Sequence, residues 1–185
     1  GVAYRTSATS GQAPELELTV EAEPSSGAAL EFWPAADAWV DAAAPSTNHG
    51  TDDELRADAS DERIAYLRFV VSGAGGYTVT QARLRLEVSG KSVTGGTVHP
   101  VSDDSWNEAT ITYNGRPVVD GPGLDTLGKV AAGDIVEFDV TSAITGNGSY
   151  SFAIDSTSSD GVRYRSREAT GGEPPLLLVT LEPSG

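Results

Sequence analysis

The sequence predicts an all-β fold, an antiparallel two-sheet β-sandwich of the jelly-roll type. Apolar residues alternate with period two along several segments, Gly and Pro clusters separate these segments, and no long stretch has the period of an amphipathic helix. Alternation gives each strand one apolar face, and a second sheet is needed to cover that face. A sandwich built from many short strands is therefore expected.

The predicted strands follow in chain order. They cover residues 37–41, 64–71, 82–88, 135–140, 150–154 and 176–181. Turn clusters such as 72–76 and 146–148 lie between them, since Gly supplies positive φ angles at turns. Residues 141–144 are expected to form one helical turn.

The beginning of the chain repeats its end. Residues 1–6 return as residues 161–166, and both copies continue through a Gly, a Pro and alternating Leu. A self-match at fixed register indicates a repeated unit. We interpret residues 1–23 as the end of a preceding domain or as a donor strand, 24–34 as a linker, and 35–183 as the β-sandwich domain.

The repeat favours a structural role. An extended terminal segment can add to the open edge of a sheet in a neighbouring copy, and head-to-tail contacts of this kind build fibres. The residues expected to make these assembly contacts are Tyr4, Leu16, Leu18, Val20 and Trp33. Neighbouring copies of the same domain are thus the first expected partners.

Composition excludes several classes of function. The chain has no cysteine, so disulfides and thiolate metal sites are ruled out. Twelve Lys and Arg stand against 27 Asp and Glu, a net charge of −15, which disfavours binding to nucleic acid or anionic membranes. No apolar run is long enough to span a bilayer, and membrane insertion is not expected. A secreted or cell-surface protein fits this composition.

Several motifs in fixed order resemble one family. They lie at residues 36–40, 47–50, 53–56, 63–69, 82–86, 101–108, 110–114, 136–141 and 166–169. Together they resemble the DNRLRE domain family, which overlaps carbohydrate-binding module family 96. The resemblance implies a secreted or surface-attached β-sandwich without catalysis of its own, often in tandem or beside polysaccharide-degrading domains. Tyr113 stands where the family often has Trp, so an aromatic ring is kept.

Acidic residues near the first strand could bind calcium, which prefers carboxylate, carbonyl and water oxygens. The candidates are Asp37, Asp41, Asp52 and Asp53, with Asn48 in the same region and Asp139 on a later strand. The alternative is that these are ordinary surface acids that keep the protein soluble.

An acidic polysaccharide is the second expected partner. Arg163, Arg165 and Arg167 alternate along one face of a predicted strand and could hold uronate carboxylates, while Tyr113 could stack on a sugar ring. Some members of the resembled family are similar to alginate-type sugar binders. The alternative is that these arginines are solvated or paired with acids on the next strand.

Catalysis is not expected. His49 and His99 lie outside any nucleophile or metalloprotease motif. Paired acids at 52–54 and 103–104 are more typical of turns than of a glycosidase site. The sequence therefore predicts a non-catalytic extracellular module, first as a repeating unit of a surface fibre, stalk or adhesin, and alternatively as a binder of acidic polysaccharide.

Overall fold

The computed structural model describes residues 29–184, and these residues form eleven strands in two antiparallel sheets. The strands are β1 (Ala29–Phe32), β2 (Ala36–Asp41), β3 (Glu54–Ala57), β4 (Arg63–Val71), β5 (Tyr77–Gly90), β6 (Gly96–Val101), β7 (Asp125–Leu127), β8 (Ile135–Asp139), β9 (Gly148–Asp155), β10 (Val162–Arg165) and β11 (Leu176–Pro183). Single 3₁₀ turns occur at Tyr113–Gly115 and Thr141–Ala143. The predicted all-β sandwich, its six predicted strands and the predicted helical turn are confirmed.

Successive strands of the chain mostly alternate between the two sheets. One sheet has six strands in the order β1-β11-β5-β10-β3, with β8 also paired to β5, and the other has the order β2-β4-β9-β6-β7. Most consecutive strands therefore lie in opposite sheets, as in a jelly roll. None of the described residues forms a helix that could cross a lipid bilayer.

The main core lies between the sheets. Fully buried Leu84 and Phe138 of the six-stranded sheet pack with Phe69 and Phe152 of the five-stranded sheet. Burial of each side chain of this size contributes roughly 1.5–3 kcal/mol to the free energy of unfolding. The alternation seen in the sequence thus corresponds to the inward face of each strand.

A second, smaller core covers the outer face of the five-stranded sheet. Ala38 and Tyr66 of that sheet pack against Trp106 and Ile111 from the segment between β6 and β7. The Tyr66 hydroxyl donates to the Pro117 carbonyl at 2.9 Å. Both faces of β2 are consequently buried, and all six of its residues are inaccessible.

The segment predicted as a linker contains β1. Residues 29–32 pair in register with β11, so part of residues 24–34 belongs to the six-stranded sheet. In the repeated sequence, the second copy forms β10 and β11. The first copy lies outside the described residues.

Candidate functional site

Two edge strands contact each other along one side of the sandwich. β2 ends the five-stranded sheet and β3 ends the six-stranded sheet. Ala36, Ala38 and Val40 of β2 point into the second, smaller core. Side chains alternate along a strand, so Asp37, Trp39 and Asp41 point the other way, toward β3. This places three polar or amphipathic side chains where the two sheets meet.

Trp39 is held in place by polar neighbours. Its ring stacks on the His49 ring, with centroids 3.8 Å apart, and its Nε1 donates to the Asp52 carboxylate at 3.0 Å. The same carboxylate oxygen lies 3.0 Å from His49 Nδ1. The Arg56 guanidinium lies 4.8 Å from the centroid of the Trp39 ring. This arrangement closes the edge of the sandwich with a cation-π contact and a buried indole.

Asp37 lies in a cluster of three carboxylates. One ligand oxygen each from Asp37, Glu108 and Glu168 lies within 4.8 Å of the others. Arg167 bridges the cluster: its Nε is 2.7 Å from Glu168 and its terminal nitrogen is 2.6 Å from Glu108. The Arg167 amide also donates to Asp37 Oδ2 at 2.9 Å.

Burial sets the protonation of this cluster. Desolvation raises the pKa of Asp37 to about 8, the hydrogen bond from the Arg167 amide opposes this rise, and the carboxyls of Glu168 and Glu108 add to it. Burial lowers the pKa of Arg167, but its pairing with Glu168 and Glu108 outweighs this and raises it. The cluster therefore holds a fixed cation beside an acid that resists ionisation.

A different group of residues forms two clefts. The first, which we call the arginine cleft, has a volume of about 290 Å³ and is lined in part by Arg56, Arg63 and Arg163. The second, the lysine cleft, has a volume of about 380 Å³ and is lined in part by Lys91 and Lys129. Asp160 lines both clefts, so they adjoin.

Two arginines of the arginine cleft share one acid, while Asp58 and Asp160 also line the cleft. Arg56 and Arg163 lie directly opposite each other on β3 and β10, and both reach the single carboxylate of Glu54, at 3.3 and 3.5 Å. Like charges in this position repel each other unless an anion lies nearby. The Arg163 side chain is 52% exposed, and Arg56 Nε is buried without an acceptor among the described residues. Arg63, in contrast, pairs with Asp41, Asp58 and Asp61.

The lysine cleft contains both lysines of the chain. Within residues 29–184, neither Lys91 nor Lys129 makes an ion pair or a side-chain hydrogen bond. Val93, 65% exposed, adds an apolar wall. The cleft thus combines two free ammonium groups with a surface that can contact the CH face of a sugar.

Asp160 lines both clefts, and hydrogen bonds from its own surroundings engage its carboxylate. Its carboxylate accepts from Ser92 Oγ at 2.8 Å, from the Val93 amide at 3.1 Å and from the Ser158 hydroxyl. The hydrogen bonds from Ser158 and Ser92 hold the pKa of Asp160 below its usual value. These bonds keep Asp160 ionised, so one negative charge lies between the two groups of cations.

Residues 28–180 match Carbohydrate-binding module family 96. The chain belongs to this family. The module is also similar to a Bacillus sp. protein named gellan lyase, with 27% identity over 171 residues. That alignment covers 85% of this chain and 7% of the lyase, so the chain spans only a small part of that relative.

The family result bears on the two predicted functions. It supports the carbohydrate-binding alternative, whereas the fibre unit that the sequence favoured first gains no support from it. It also agrees with the prediction of a non-catalytic module. Asp103, one of the paired acids, accepts from the amide and hydroxyl of Ser105 at 2.8 and 2.6 Å, as a turn residue does.

The structure separates the four predicted sugar-binding residues of the module. Arg163 lines the arginine cleft, while Arg165 on the same face of β10 lies 3.5 Å from Glu87. Arg167 lies beyond the strand and turns into the carboxylate cluster. Tyr113 lies in the segment over the five-stranded sheet, with the Arg116 guanidinium 3.6 Å from its ring centroid.

Sequence reasoning missed Arg56, Lys91 and Lys129 as members of one surface. A signal was present for the lysines, since a chain with 27 acidic residues has only these two. Nothing in the sequence indicated that their cleft adjoins the one lined by Arg163, because the lining residues come from distant segments of the chain.

The predicted calcium ligands of the module also separate. Asp41 accepts from the Ala43 amide at 2.8 Å and from Arg63 at 3.2 Å, and Asp52 binds Trp39. The main-chain carbonyl of Asp53 accepts a hydrogen bond from the Ser166 amide at 3.2 Å. Asp139 lies on β8 in the other sheet from β2.

Four of the predicted assembly residues, Tyr4, Leu16, Leu18 and Val20, lie outside the described residues. Trp33 lies between β1 and β2 and is 60% exposed. An exposed indole of this kind is free to contact another surface.

Proposed function

We propose that this module binds an acidic polysaccharide through the arginine cleft and the lysine cleft. One observation carries the proposal: both lysines of the chain and the incompletely paired Arg56 and Arg163 line two adjoining clefts. Carboxylates spaced along a polymer would meet a cation in each cleft. Guanidinium groups suit carboxylates because they donate two parallel hydrogen bonds.

The net charge of −15 is compatible with this ligand. The Debye length at physiological salt is about 8 Å, so acids on remote surfaces are largely screened from a bound polyanion. Contacts inside a cleft are screened much less. Local positive charge can therefore outweigh the repulsion from the whole protein.

The similarity to a protein named gellan lyase supports the class of ligand. Gellan is an anionic polysaccharide, and the segment similar to this module is a small part of that lyase. A binding module attached to a larger polysaccharide-degrading protein would hold the enzyme on its polymer. This role places the module outside the cell, either secreted or at the cell surface, where such polymers occur.

Affinity electrophoresis and titration calorimetry test the proposal. We expect the chain to bind gellan or alginate and to ignore a neutral glucan. The double variant Lys91→Ala/Lys129→Ala should weaken binding by about 2- to 30-fold, since each exposed charge pair contributes about 0.2–1 kcal/mol. Arg163→Ala should weaken it in the same direction.

A matched control variant removes two positive charges at another place on the module. Arg83 and Arg85 lie on the outer face of β5 and pair with Asp139 and Glu137. Arg83→Ala/Arg85→Ala should leave the affinity within about twofold of the parent, because these arginines are already neutralised. Equal losses in both double variants, or binding to the neutral glucan alone, would contradict the proposal.

A repeating structural unit remains a second candidate, favoured by one observation. The copy of the repeated sequence that the structure describes forms β10 and β11, which both pair with β5 in the six-stranded sheet. A second copy of these strands could occupy the same place in a neighbouring domain. Electron microscopy of the chain with and without residues 1–23 tests this: filaments lost on deletion would support it, and single particles in both samples would remove it.

A further inference from the structure

We propose that the carboxylate cluster of Asp37, Glu108 and Glu168 is a binding site for one calcium ion. These residues come from β2, from the segment between β6 and β7, and from the turn after β10. The site shares no lining residue with either cationic cleft. Calcium binding and polysaccharide binding can therefore be tested with different variants.

The first argument is the state of two oxygens. Asp37 is 1% exposed, yet its Oδ1 has no hydrogen-bond donor among the described residues. Glu168 Oε2 is also buried without a donor. A buried carboxylate oxygen without a partner is unfavourable, so a cation or a proton is expected between these acids.

The second argument is charge. Three carboxylates carry three negative charges when ionised, and Arg167 supplies one positive charge to Glu108 and Glu168. Two negative charges remain. A divalent cation would neutralise them, whereas ionised acids without a cation would repel each other at this distance.

The third argument is geometry. The three ligand atoms lie within 4.8 Å of one another, a separation that calcium spans at its usual oxygen distances of about 2.3–2.6 Å. All donors are hard oxygens, which suits calcium rather than zinc. Magnesium requires shorter distances and near-ideal octahedral geometry, so we expect it to bind more weakly.

The other bonds of the cluster hold its oxygens in position. Glu108 Oε1 accepts from the Asp37 amide at 2.8 Å, and the Arg167 amide fixes Asp37 Oδ2. These bonds leave Asp37 Oδ1 and Glu168 Oε2 as the oxygens of the cluster without a donor among the described residues, and burial raises the pKa of Asp37. A proton shared by Asp37 and Glu168 is the competing occupant.

The test is calorimetry and thermal melting of the chelator-treated 185-residue chain with CaCl₂ or MgCl₂. We expect one calcium ion per chain and a rise in Tm of about 5–10 °C at a hundredfold excess over Kd. Asp37→Asn and Glu168→Gln should each lose most of the calcium heat and most of the rise in Tm. Two variants are used so that poor folding of one leaves the other as a readout.

Asp53→Asn is the matched control, since it makes the same chemical change near the same edge without touching the cluster. It should bind calcium like the parent chain. No heat and no change in Tm for the parent would overturn the proposal and leave a shared proton as the occupant. Loss of binding in Asp53→Asn with binding retained in Asp37→Asn would overturn it as well.

Discussion

The Asn48 side-chain amide lies 2.7 Å from the main-chain carbonyl oxygen of Glu108. The same nitrogen donates to the Ile111 carbonyl at 2.7 Å. One amide group thus fastens the segment between β6 and β7 to the loop after β2. This contact fixes the main chain at Glu108, while the Asp37 amide and Arg167 hold its carboxylate.

Asn48→Ala should destabilise the fold by about 1–3 kcal/mol, because two partly buried carbonyls lose their donor. It should also weaken calcium binding, since the main chain that carries Glu108 would lose one of its anchors. Urea unfolding with and without calcium measures both effects. Asn114→Ala, which removes an exposed bond to Ser46, is the control and should change stability by less than about 0.5 kcal/mol.

Tyr164→Phe should destabilise the sandwich by about 1–3 kcal/mol. The buried Tyr164 hydroxyl donates to the Gly95 carbonyl at 2.5 Å, and Phe would leave that carbonyl without its donor. Thermal unfolding monitored by circular dichroism measures the loss. The more accessible Tyr113→Phe should melt within about 1 °C of the parent, and equal losses in both variants would contradict this account.

Asp139 should make stability sensitive to acid. Hydrogen bonds from the Thr141 hydroxyl and amide, and the charge of Arg83, hold the pKa of Asp139 below its usual value. The folded state then favours the ionised form, so this contribution is present above about pH 4 and is lost as pH falls through the lowered pKa. Unfolding of Asp139→Asn should show a smaller drop in stability between about pH 4 and pH 2 than the parent. An unchanged drop would exclude Asp139 as a contributor.

Salt should weaken polysaccharide binding if the two cationic clefts hold the ligand. Raising NaCl from about 0.05 to 0.5 M shortens the Debye length severalfold and should lower the affinity for gellan on the order of tenfold. The dependence should be shallower in Lys91→Ala/Lys129→Ala, because fewer charges remain to be screened. Calorimetry across the salt series provides both slopes, and parallel slopes would count against a role for the lysine cleft.

The fold could be predicted because strand periodicity is a local property. Residues 82–88 alternate and residues 64–71 form a short apolar run rich in β-forming residues, and β5 and β4 form there. β1 escaped prediction because Pro24 and Pro34 flank it, and its four residues pair with β11 from the far end of the chain. Short strands such as β3 and β7 depend on their partners more than on their own pattern.

The sites were harder to predict because they depend on contacts between distant segments. Asp37 was recognised as a candidate ligand, but its neighbour Glu108 lies 71 residues away. Arg163 was recognised as a candidate sugar contact, but its position opposite Arg56 follows from the register of β10 with β3. Strand order and register fix such pairs, and neither can be read from one segment alone.

The burial of Trp39 and Trp106 has a consequence for recognition. Both indoles lie in the interior, and no aromatic ring is among the described residues that line the two clefts. A ligand in these clefts would therefore contact cations and would find little ring surface on which to stack. Such a surface would select a polymer by the spacing of its carboxylates more than by the identity of its sugars. Polymers with the same spacing of charges would then compete for the same clefts.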